Sequence, residues 1–125
     1  MGIIEVQLAE LQREFPSATA ETRPDGSSLI TIHGVALPRG WSQATTSVHF
    51  LAPLGFPMAQ PDCFWADENL RLAAGGLPKN SGVQAPPFSV GQKLWFSWHV
   101  SQWNGSRSTL RSFVGVILNR LSCVE

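Results

Sequence analysis

Residues 95–121 run Trp95-Phe96-Ser97-Trp98-His99-Val100-Ser101-Gln102-Trp103, then a polar passage from Asn104 to Thr109, then Leu110-Arg111-Ser112-Phe113-Val114-Gly115-Val116-Ile117-Leu118-Asn119-Arg120-Leu121. In the final part Leu110, Phe113, Val114, Ile117, Leu118 and Leu121 recur at i, i+3, i+4, i+7, i+8 and i+11. That stripe predicts a helix laying one face on a core. Ser106 or Ser108 can cap its start, because a serine oxygen accepts from an orphan amide of the first turn. Gly115 costs about 1 kcal/mol there relative to alanine, which marks a point of close packing. The aromatic passage ahead of the helix reads as extended chain, so a strand feeds a core-facing helix.

Working outward, Ile4, Leu8, Leu11 and Phe15 form a second helical stripe opposite Glu5, Gln7, Glu10, Gln12, Arg13 and Glu14. Pro16 ends it, since proline cannot continue the hydrogen-bond ladder. Pro24-Asp25-Gly26 is a turn between a polar, Thr-rich stretch over 18–23 and Ser28-Leu29-Ile30-Thr31-Ile32-His33. This pair reads as a hairpin with the first strand weaker and at a sheet edge. A second turn, Leu37-Pro38-Arg39-Gly40-Trp41, precedes the β-branched run Thr45-Thr46-Ser47-Val48-His49-Phe50-Leu51. Six of the nine prolines fall within 53–87, where only Cys63-Phe64-Trp65-Ala66 reads as a strand. Residues 70–90 are therefore expected to form one long irregular loop, a length that compact domains keep for function. The order of helix, antiparallel strands, long loop and helix predicts an α+β domain with helices against one face of the sheet.

Length and composition fit that reading. The chain of 125 residues, 43% hydrophobic with seven Phe and five Trp, is expected to form one domain over 1–125 with a core of its own. Nine basic and nine acidic side chains leave no formal charge, so binding of nucleic acid through a large basic surface is not expected. No apolar run approaches a membrane span, and a cytoplasmic protein without membrane contact is expected. Cys63 and Cys123, 60 positions apart, match neither a disulfide framework nor a paired zinc motif. His33, His49 and His99 are scattered and no ligand pair has zinc spacing, so no metal and no cofactor are expected. Gly75-Gly76 lacks the Lys-Ser/Thr of a phosphate loop. Asp62, Asp67 and Glu68 cluster as turn acids do.

Two nucleophiles remain. Cys63 reads first as a small buried hydrophobe, with no basic neighbour to lower its pKa. Ser97 lies two residues from His99, and in extended chain such residues share a side. A serine hydroxyl needs a base of that kind to attack a carbonyl. By itself the pair is common, and a structural role is the more frequent meaning of such a pair.

Five features stand in order along residues 37–121: Leu37-Pro38-Arg39-Gly40-Trp41, then Phe50-Leu51-Ala52-Pro53-Leu54-Gly55-Phe56-Pro57 leading to Gln60-Pro61-Asp62-Cys63-Phe64-Trp65, then Ser97-Trp98-His99, then Trp103 and the helix from Leu110. In these the chain resembles a bacterial family of the ubiquitin-conjugating-enzyme (UBC) superfamily, prokaryotic family E. Gly-Phe-Pro followed by Pro-Asp is similar to the Tyr-Pro-x-x-x-Pro signature of these enzymes. What the resemblance implies is a UBC-like fold and a carrier role, in bacterial antiphage defence. An activating enzyme would pass it the C-terminus of a ubiquitin-like protein as an ester, for transfer to an acceptor. The usual acceptor cysteine, some eight residues before the equivalent of Trp103, is absent from the window Leu94 to Ser101. The resemblance therefore implies an oxyester on Ser97, with His99 as base or positioning group and Trp103 and Trp98 supporting the site. Cys63 is the alternative nucleophile, and a catalytically inert scaffold binding the same partners is the alternative function. The chain also lacks the His-Pro-Asn tripeptide of familiar UBC enzymes, leaving Asn69 and Asn80 as weak oxyanion candidates.

Overall fold

A computed structural model describes residues 2–125. Its elements are α1 (Ile3–Glu14), β1 (Thr19–Thr22), β2 (Ser28–Ala36), β3 (Thr45–Ala52), β4 (Phe64–Ala66), β5 (Ser81–Gln84), β6 (Lys93–Phe96) and α2 (Leu110–Ser122). The strands form one antiparallel sheet in the order β1-β2-β3-β4-β6-β5. The weak Thr-rich strand does lie at an edge. Its hairpin turns at Asp25, whose Oδ1 accepts from Ser27 N at 2.9 Å, and at Gly26, whose φ of 88° favours glycine.

Strand alternation sorts side chains to two faces. Thr46, Val48, Phe50 and Ala52 of β3 are buried on the inner face, with Ile30 and Ile32 beside them. Phe113 of α2 meets Phe50 with ring centroids 4.8 Å apart, and Phe64 and Phe96 stack at 4.6 Å across β4 and β6. α1 lies beside α2 and β1. Its Gln7 is buried, and Gln7 Oε1 accepts from Leu110 N at 2.8 Å, so α1 satisfies an orphan amide at the start of α2. Arg111 and Glu14 join the two helices by paired hydrogen bonds of 3.1 Å each. Buried Trp41 fastens the other end of α2 by donating from Nε1 to Leu121 O at 2.8 Å.

Three expectations need correction. The irregular loop over 70–90 is interrupted by β5, which pairs with β6 from Ser81↔Phe96 to Gln84↔Lys93. The ladder, not side-chain propensity, makes this strand, which is why glycine and proline nearby hide it. The cap of α2 is Thr109, in a reciprocal box: Ser112 N donates to Thr109 Oγ1 at 3.2 Å and Thr109 N donates to Ser112 Oγ at 2.9 Å. Ser106 and Ser108 are committed to the turn before it, through Ser106 N to Asn104 Oδ1 at 2.9 Å and Asn104 N to Ser108 Oγ at 3.1 Å. Gly115 is no packing point either. A methyl group there would meet only the tip of Arg111, at 3.3 Å from Nη1.

Candidate functional site

The site begins where β4 starts and β6 ends. Their register pairs Phe64 with Phe96, Trp65 with Trp95 and Ala66 with Leu94. One step beyond, the same register sets Cys63 opposite Ser97. Because Phe64 and Phe96 point into the core, both neighbours belong to the outer face, alongside Trp65 and Trp95. Ser97 is half-buried, and its N–H donates to Asn80 O at 2.8 Å, the last tie between this chain and the sheet. Asn80, at φ 58°, is the asparagine brought to the site. Asn69 lies beyond the opposite end of β4.

After Ser97 the chain divides its side chains between two surroundings. Trp98 turns towards α2, where the Arg120 guanidinium carbon stands 5.3 Å from the centre of its ring and 5.2 Å from that of Phe96. Arg120 is buried and donates to Cys123 O at 2.8 Å, Lys79 O at 3.0 Å and Glu125 O at 2.8 Å. One side chain thus braces Trp98, the residue before Asn80 and the end of α2. His99 is exposed, and its Nδ1 lies 2.9 Å from Asp62 Oδ1. Among the described residues no hydrogen bond joins Ser97 to His99.

Trp103 closes the far side. Its Nε1 donates to Pro57 O at 2.7 Å and its ring lies 5.8 Å from that of Phe56. The Gly-Phe-Pro motif and the tryptophan, 46 positions apart along the chain, are therefore in direct contact. Gly105 lets them meet, since a Cβ there would lie 2.9 Å from Met58 Cα and 3.1 Å from Pro57 O.

Two clefts flank the strand ends. One of about 330 Å³ includes Asp62, Cys63, Trp65, Leu51 and Leu54. The other, of about 410 Å³, lies between residues 98–102 and Val116, Asn119 and Arg120 of α2. Asp62 lines the first and His99 the second, so the contact between them forms the ridge that separates the two. Burial pushes the Cys63 thiol up from its ordinary value and the Asp62 carboxylate adds to this, against a hydrogen bond with Trp95. A thiol in such surroundings is a poor nucleophile at neutral pH. Among the described residues no group of three or more His, Cys, Asp or Glu converges as metal ligands, and no helix is long and apolar enough to cross a membrane.

Ser97, Trp98, His99 and Cys63 thus lie around one end of the β4–β6 pair, whereas Trp103 is held against Phe56 and Pro57. Sequence reading passed over Asp62 as a turn acid and did not single out Arg120. The signal for Arg120 is its place between Ile117 and Leu121 in an apolar stripe, where an arginine needs internal partners.

The family model described as Prokaryotic E2 family E matches residues 11–123. No curated protein and no solved structure matches the chain. The match spans nearly the whole chain, and the chain belongs to this family.

Proposed function

We propose that this member of a prokaryotic E2 family is a conjugation carrier that takes the C-terminus of a ubiquitin-like protein as an oxyester on Ser97. The observation that carries the reading is the position of Ser97: the last residue held by the sheet, on the outer face, opposite Cys63 of one cleft and directly ahead of Trp98 and His99 of the other. Its hydroxyl would attack the thioester carbonyl presented by an activating enzyme. The C–O bond forms as the C–S bond breaks, and the hydroxyl proton passes to His99 and on to the departing thiolate. In the second step an acceptor amine attacks the ester, releasing Ser97. An oxyester is less reactive towards amines than a thioester, so base assistance weighs more here than in a cysteine enzyme.

Intact mass spectrometry tests this after incubation with the activating enzyme and ubiquitin-like protein of the same source and ATP. Wild type should gain a base-labile adduct that survives thiol reductant, persists in Cys63→Ala and vanishes in Ser97→Ala. A reductant-labile adduct lost only in Cys63→Ala would move the nucleophile to the cysteine. A tight complex without adduct on any variant would leave an inert binding scaffold.

A further inference from the structure

We infer that Asp62 is a positioning residue for His99, holding the imidazole by Nδ1 so that Nε2 is left to exchange a proton with Ser97. This rests on Ser97 being the loaded residue. The pair has a good hydrogen-bond length, 2.9 Å, yet the two side chains are 67% and 80% exposed. A contact that open to water contributes little to stability whether or not the ring is charged, so holding the fold together is a weak reason for its presence. Its location is more informative. Asp62 immediately precedes Cys63, the residue set opposite Ser97, and His99 follows Ser97 by two. Buried Pro61 fixes the chain just before Asp62, while Trp98, packed over Arg120, fixes the chain just before His99. Both partners of an exposed pair are thus anchored by packed neighbours, buried Pro61 and half-buried Trp98.

The chemistry follows from the ring. A carboxylate can only accept, so Nδ1 carries the hydrogen, and in the neutral ring Nε2 then offers a lone pair. When Ser97 Oγ attacks the donor carbonyl, Nε2 takes the hydroxyl proton. The resulting imidazolium is stabilised by the Asp62 charge until the proton passes to the leaving thiolate. No atom of Asp62 meets the substrate. The Ser97 to His99 bond would form on loading, as catalytic hydrogen bonds often tighten only with substrate present.

The test couples a spectroscopic readout to a rate. Nitrogen-15 NMR should show His99 of the unloaded wild type as the Nδ1–H tautomer, and Asp62→Ala should move it towards Nε2–H. In the loading mixture described above, Asp62→Ala should slow formation of the Ser97 adduct on the order of tenfold. Asp62→Asn, which can still accept from Nδ1–H but lacks the charge, should keep the tautomer and fall between. The thermal midpoint should not move in either variant. A wild-type His99 already in the Nε2–H form would overturn the inference. So would an Asp62→Ala rate within twofold of wild type while Ser97→Ala still abolishes the adduct. Absence of any Ser97-dependent adduct in wild type would overturn the loading step as well, and is distinguished by failing in every variant alike.

Discussion

Gly105 shows how much one side chain, or its absence, decides at this site. Trp103 reaches Pro57 O only because the backbone at residue 105 passes within contact of Met58. A Cβ at 105 would lie 2.9 Å from Met58 Cα, and the backbone of a turn cannot yield as a flexible side chain does. Gly105→Ala should therefore destabilise the fold by about 1–3 kcal/mol, measured by urea unfolding, and loosen the Trp103 anchor. Gly76→Ala is the matched control, because nothing lies within 4 Å of its position. It should be neutral or slightly stabilising through the unfolded state. Equal losses in both variants would mean that the close approach carries no special weight.

Among the elements, α2 separates what periodicity can reveal from what it cannot. Its apolar stripe was legible because Leu110, Phe113, Val114, Ile117 and Leu121 are all buried, and burial follows the helical period. The cap was not, since Ser106, Ser108 and Thr109 are chemically similar and only the course of the Asn104 turn decides between them. Thr109→Ala should cost about 1 kcal/mol, whereas Ser106→Ala should leave the helix unchanged; comparable losses from both would show the cap to be shared. Gly115→Ala should stabilise by about 1 kcal/mol, because the methyl meets only the mobile end of Arg111. A loss instead would mean that the Arg111 to Glu14 link depends on that space. β5 was illegible for a related reason: a four-residue strand with one apolar side chain exists by pairing with β6. The site followed the same division. Ser97, His99 and Trp103 stood out by type and order, but the bond from Trp103 to Pro57 and the pairing of His99 with Asp62 join parts of the chain that only folding brings together.

Across the whole molecule the inner face of the sheet carries the core, and a local cover on the outer face makes stability depend on pH. Phe88, from the segment between β5 and β6, lies over Trp65 at 5.1 Å and over His49 at 5.6 Å. His49 is buried beneath it, with Nδ1 3.0 Å from Thr31 Oγ1. Desolvation, reinforced by the positive charge of Lys93 and by His33 and opposed by Asp67, lowers its pKa from 6.5 to about 4. The unfolded chain takes up a proton at His49 as pH falls through 6.5, while the folded chain stays neutral there until about 4. The unfolded state then holds more protons across that window, so the contribution is complete above pH 6.5 and is lost as pH falls towards 4. Urea midpoints of wild type should accordingly decline between neutral pH and pH 4.5, and His49→Gln should flatten the decline. Carboxylates held low in the fold, such as Asp25 through its bonds to Ser27, act in both proteins and cancel in the comparison. An unchanged slope in His49→Gln would mean that the Phe88 cover opens freely enough for His49 to charge within the folded state, and the outer layer would then be a loose strap over the sheet with no part in its core.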